Sequence, residues 1–153
     1  MKSLALVTLL CAAALAGCAK APTLAAPDDF AKLERGDSHA FRATNASGVV
    51  IGVRSESNEL QGSLEFWSSA LDNKLRKSGY KRVATDAVTT RAGLTGKRFR
   101  YEVERGGRTT EYWIGVFVTA KDVVVVEAGG DTAFFDEATE KRVDEAFKSL
   151  ELG

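Results

Sequence analysis

Few side chains in this sequence could do chemistry. His39 is the only histidine, and it stands beside Asp37 and Ser38 at the entrance to a predicted strand; Cys11 and Cys18 are the only cysteines. A zinc site would need several thiol or imidazole ligands brought together, and Cys11 lies inside an apolar run where it could not serve one. A serine-histidine-acid relay needs only His39 and two common residue types, but the Gly-x-Ser-x-Gly turn that presents such a serine is absent. The stretch Gly93-Leu94-Thr95-Gly96-Lys97 has a glycine-lysine pair without the four-residue spacing or the following Ser/Thr of a phosphate loop. Asn45-Ala46-Ser47 and Arg35-Gly36-Asp37 match a glycosylation acceptor and an adhesion tripeptide only by their letters, and turn chemistry and chance account for them. His39 is therefore read as a surface or strand-edge histidine. No catalytic, cofactor-binding or metal-binding residue is assigned, and no cofactor is expected.

The elements that must position these residues belong to one domain. The chain has 153 residues, 44% hydrophobic and 27% charged, which suits a single globular unit with a proper core. Its 21 Lys+Arg balance 21 Asp+Glu, so the basic field that phosphate-backbone binding requires is missing and nucleic acid is not an expected partner.

The amino end departs from this average. Lys2 is followed by Leu4–Ala16, thirteen residues that are apolar except for Thr8. A spanning helix needs about 20 such residues, whereas a positive start, a short apolar stretch and small residues make an export signal. The run closes with Leu15-Ala16-Gly17-Cys18, which resembles the lipobox of bacterial lipoproteins at every position. That resemblance implies removal of residues 1–17 and lipidation of Cys18 by diacylglycerol and a further acyl chain such as palmitate. Each buried methylene contributes about 0.8 kcal/mol, and one chain holds reversibly while several hold permanently. Ala19, rather than an aspartate, follows the cysteine, which under the usual sorting rule implies the outer membrane facing the periplasm.

Residues 18–29 then read as a lipidated start and flexible tether. Both prolines, Pro22 and Pro27, fall here, and Ala19–Asp29 shows neither a helical nor a strand period. Residues 30–153 are expected to form the domain. Ala40–Thr44 and Val49–Arg54 flank the turn-forming Asn45-Ala46-Ser47-Gly48 and predict a hairpin. Leu64, Trp67, Leu71 and Leu75 recur on one helical face, with Glu65, Asp72, Lys74, Arg76 and Lys77 placed mostly elsewhere, Ser63 as N-cap and Gly79 beyond the end.

A weaker strand at Lys81–Thr90 precedes Arg98–Arg105, where Phe99, Tyr101 and Val103 alternate with Arg98, Arg100, Glu102 and Glu104. The charged set is read as the wet side of this strand. Gly106-Gly107 turns the chain into a second strand at Thr109–Thr119, whose two faces are both apolar, so it should be central and covered on each side with Trp113 and Phe117 on one face. The β-branched run Val123–Ala128 predicts a buried central strand. A closing helix over Phe135–Leu150 carries Thr139, Val143, Ala146, Phe147 and Leu150 on one stripe, with an Asp144–Lys148 pair on its wet side. The expected class is α+β, a mainly antiparallel sheet of order ββαββββα covered by two helices.

With that order, the chain resembles the PsbP-like family. The matching segments are the helix Leu64–Ser78 closed by Gly79-Tyr80, the hairpin Gly96–Val118, the run Val123-Val124-Val125-Val126-Glu127-Ala128 and the ending Ala146-Phe147-Lys148-Ser149-Leu150. The resemblance implies an α/β/α sandwich and a binding or assembly role on larger complexes, and it transfers no functional residue. The expected partners are thus the membrane, through the lipid, and an envelope protein; the alternative is a small envelope hydrolase or ligand carrier acting on cell-wall or lipid fragments.

Overall fold

The computed structural model describes residues 20–34 and 38–153; the signal, the lipobox with Cys18 and the tripeptide 35–37 lie outside the described residues. Seven strands, β1 Phe30–Lys32, β2 Phe41–Asn45, β3 Val50–Ser57, β4 Lys81–Thr89, β5 Thr95–Arg105, β6 Arg108–Val118 and β7 Asp122–Asp131, form one sheet of order β1-β2-β3-β7-β6-β5-β4. Every neighbouring pair is antiparallel. Helix α1, Leu64–Lys77, carries the chain from β3 to the far edge, and the meander β4 to β7 returns to pair with β3. Helix α2, Glu137–Lys148, closes the chain. The class is the expected one, α+β with a mainly antiparallel sheet, with one strand more than the sequence reading: β1, three residues long, pairs with β2.

Local chemistry explains where these elements begin and end. The Asn45 Oδ1 accepts from the Ser47 and Val49 amides at 3.1 and 3.0 Å and shapes the β2–β3 turn. Gly106 and Gly107 have φ of 58° and 74°, the left-handed pair that a two-residue hairpin with the right strand twist demands. Ser63 caps α1 by accepting from the Phe66 amide at 3.1 Å, and Asp136 caps α2 by accepting from the Thr139 amide at 2.8 Å. That cap starts α2 two residues later than the periodicity alone predicts.

The helices lie on opposite faces. Tyr101, Phe99 and Ile114 meet Leu71 and Leu75 of α1, while Trp113, Phe117, Val124, Val126 and the α2 stripe Val143, Ala146, Phe147 form the larger core on the other side. A Cβ on Gly115 would stand 3.1 Å from the Phe147 ring, so this glycine lets α2 come close. β7 is the middle strand, as its β-branched run predicts.

Three expectations need correction. Asp72 is not on the outer side of α1: it is buried with Ser68, while Leu64, Trp67, Leu71 and Leu75 are only half-buried. The reason is a polar lock, since Asp72 accepts from the Tyr101 hydroxyl at 2.9 Å and from Arg82 at 2.7 Å. The Arg98–Glu104 ladder is not uniformly wet, because α2 covers that face: Arg98 is 5% exposed and binds Asp86 and Asp144, and the Arg100 guanidinium lies 3.8 Å from the centre of the Trp113 ring. The flexible tether 18–29 is also too long. Thr23 pairs with Glu151 through two 3.0 Å backbone bonds, the Ala25 amide donates to Ser149 Oγ at 2.9 Å, and Leu24 is buried in the larger core. Leu24 supplies apolar burial that the small residues around it could not.

Candidate functional site

Helix α1 lies across β5 and β6, and beside it, on the same face, the sheet offers β3, β7 and the near end of β2. Strand alternation puts Arg54 and Glu56 of β3 and Val123, Val125 and Glu127 of β7 on this face. Two hollows result. The larger, about 320 Å³, has Trp67, Leu71, Val116 and Val125 as apolar walls and Arg54 and Lys74 at its margin. The smaller, about 170 Å³, gathers His39, Tyr112 and Glu127.

Glycines make room for this second cluster. Gly52 pairs with Glu127 across the β3–β7 ladder, and a Cβ there would stand 3.0 Å from the His39 ring. His39 Nε2 donates to Glu127 Oε1 at 2.5 Å, the Tyr112 hydroxyl donates to Oε2 at 2.7 Å, and Arg54 Nη2 donates to the same oxygen at 3.3 Å. Burial pushes the Glu127 carboxyl up, but these donors outweigh it and hold the group below the usual range, so it is ionised at neutral pH. Tyr112 is pushed well above the ordinary phenol, first by burial and then by the Glu127 charge.

With Nε2–H committed to Glu127, a neutral His39 accepts the Ser38 hydroxyl at Nδ1, 2.9 Å away. This is the connectivity of a serine-histidine-acid relay with the ring nitrogens exchanged. The Ser38 oxygen is exposed, however, and stands outside the walls of both hollows. The cluster works as a clasp that fixes the segment before β2 onto β6 and β7. No group of three or more metal-ligating side chains occurs among the described residues.

Sequence reasoning named His39 and missed Glu127, Tyr112 and Arg54, which sit in strands read for their apolar neighbours. The signal available was Glu127 itself, the one acid in the run Val123–Ala128. The Gly93–Lys97 stretch is the end of the β4–β5 turn and the start of β5: Gly93 has φ of 88°, and Lys97 Nζ pairs with Glu65 at 2.9 Å.

The clasp has a measurable strength. Glu127→Ala is expected to lower unfolding stability by about 2 kcal/mol, because it leaves three part-buried donors, His39, Tyr112 and Arg54, without their acceptor. Ultraviolet titration should show Tyr112 ionising at lower pH in that variant, since the charge opposing its ionisation is gone. An unchanged Tyr112 titration would mean that the contact is not formed.

No family model matches the chain, and no curated protein matches its sequence. Solved structures do match in fold. LpqN of Mycobacterium tuberculosis, described as involved in cell envelope biogenesis, superposes with a TM-score of 0.68 at 12% identity, covering 90% of this chain and 87% of that one. CyanoP, the cyanobacterial PsbP of Synechocystis, gives 0.57 at 8% identity over 88% and 94%. PA94 of Pseudomonas aeruginosa, of unknown function, gives 0.58 at 13% over 81% of each. At these identities the likeness is one of fold.

Proposed function

We propose that this chain is a lipid-anchored protein of the bacterial envelope whose domain binds another protein and catalyses no reaction. The observation that carries the binding role is the groove beside α1. It has an apolar floor, a charged margin of Arg54, Glu56 and Lys74, and no cluster of reactive groups in its walls. A shallow apolar strip rimmed by charge is what a protein partner's side chains fill. The envelope location rests on the sequence features of residues 1–18, with palmitate on Cys18 and the outer membrane as the expected site. LpqN, a neighbour in fold, is described in envelope terms, which agrees with this placement. No helix among the described residues is long and apolar enough to cross a membrane.

Ala70 is exposed and lines the groove, and Glu137 is exposed on the opposite side of the sheet. A photo-crosslinking residue in place of Ala70 should give a discrete adduct with one envelope protein in living cells, and the same residue in place of Glu137 should not. The Ser38–His39–Glu127 relay motivates the second reading, a small hydrolase. Ester or peptide turnover by the purified protein that is lost in Ser38→Ala, with no adduct from position 70, would replace the first reading by the second.

A further inference from the structure

The groove beside α1 differs at its two ends. Phe66, Ala70 and Lys74 stand four residues apart and form one ridge on α1, of which Ala70 and Lys74 line the groove. The ridge is aromatic at one end and cationic at the other, over about 12 Å at 1.5 Å per residue. Phe66 is 52% exposed, with its ring edge-on to Trp67 at 5.1 Å between centroids. The support of this pair is fixed. Asn58 is buried; its Oδ1 accepts from the Gly62 amide and Trp67 Nε1, and its Nδ2 donates to the Gly62 and Thr119 carbonyls. Because Asn58 follows directly on β3, Trp67 and Phe66 stand at the Glu56 end of the groove. At the other end, Arg54 reaches Glu127 only through Nη2 at 3.3 Å. Its Nε is the one buried side-chain nitrogen or oxygen among the described residues with no hydrogen-bond partner. Lys74 and Glu56 form no ion pair among the described residues. Arg54 pairs across the ladder with Val125 and Glu56 with Val123, so the charge of the margin changes sign along the groove.

We infer that the groove takes a segment of its protein partner in which an acidic side chain and a large apolar side chain stand about 12 Å apart, the acid between Arg54 and Lys74 and the apolar group on Phe66 and Trp67. The inference rests on the docking reading above and adds what the partner must carry. A carboxylate accepts two donors at once, which suits a guanidinium with a free Nε and an unpaired ammonium at the same end. Glu56 repels an acid from the opposite end, so the charges fix the direction in which the segment lies. Aromatic side chains on a rigid support are where interface energy concentrates. Between the two ends, Leu71, Val116 and Val125 give the segment an apolar floor. About 12 Å is four residues of extended chain at roughly 3.3 Å each.

The test uses the full chain in living cells, with the photo-crosslinking residue in place of Ala70 and single substitutions around it. Lys74→Glu removes a donor and adds a repulsion, and should lower the adduct yield about tenfold or more. Phe66→Ser should lower it by a similar factor. Two controls should keep the yield: Glu56→Lys, a charge reversal at the other end of the groove, and Phe134→Ser, which removes an exposed aromatic outside it. All four positions are exposed, so the denaturant midpoints should stay close to that of the parent chain. Sequencing the crosslinked partner peptide should find Asp or Glu about four residues from a large apolar residue. A yield that Lys74→Glu leaves unchanged or raises, a partner peptide without an acid, or an adduct with lipid or a second copy of this chain would overturn the inference. An adduct with another protein that is equally strong in Lys74→Glu and Phe66→Ser would overturn it while the docking reading stood. No adduct at position 70 would remove both.

Discussion

Arg98→Ala is expected to lower the unfolding free energy of the domain by about 2–3 kcal/mol, because the buried guanidinium gives up charge-assisted hydrogen bonds to two partly exposed carboxylates. Arg98 is 5% exposed between β5 and α2, with Asp86 Oδ2 at 2.5 Å, Asp144 Oδ1 at 2.6 Å, and its guanidinium 5.0 Å from the centre of the Trp113 ring. Alanine would leave two carboxylates facing each other across an emptied site and would strip cover from the tryptophan. Arg108→Ala, exposed at the start of β6, should stay within about 0.5 kcal/mol. Denaturant unfolding of both variants measures the difference, and equal values would mean that Arg98 is not held as described.

The same cluster fixes the sign of an acid dependence. Burial raises the Asp144 carboxyl, but hydrogen bonds from Lys148 and Arg98 and their charges bring it below its ordinary value. A depressed folded-state value stabilises the fold fully above the unfolded value of about 3.9, and the contribution is lost as pH falls through the folded one. Wild-type stability should therefore fall as pH drops below about 4, and this slope should be shallower in Arg98→Ala.

Cys18→Ala is expected to abolish membrane retention and to leave unprocessed precursor, because the lipid is the only strong membrane contact the sequence offers. Cells fed labelled palmitate should yield a labelled wild-type band and an unlabelled, slower-migrating variant. A wild type that takes up no label, or a variant still pelleting with membranes after normal cleavage, would remove the lipoprotein assignment.

Periodic apolar residues made most of the fold legible. The alternation through Phe99, Tyr101 and Val103, the double-sided β6 and the α2 stripe each report a local geometry, and each lies where its period puts it. Strand β1 escaped because three residues carry no period. Arg98 escaped for a different reason: a charge at an alternating position reads as wet until a helix some 40 residues later is known to lie on it, and its partner Asp144 is 46 positions away. The clasp is still less local, since His39 and Glu127 are 88 positions apart. What joins them is the β3–β7 pairing, with a glycine opposite the acid, and no window of sequence contains both.

The strap from Thr23 to Ala25 also sets how the domain answers to force. A pull on a lipidated amino end would enter the fold at the single Thr23–Glu151 bridge, next to the end of α2, before reaching any full strand. Leu24 and then Phe30 would have to be drawn from the larger core before β1 could peel from β2. The next attachments inward are the β2–β3 hairpin and then the long ladders of β3, β7 and β6, whose many backbone bonds would be loaded only after the strap had yielded. Under such a pull the first few residues would thus pay out as extra leash, while the groove beside α1 kept its shape.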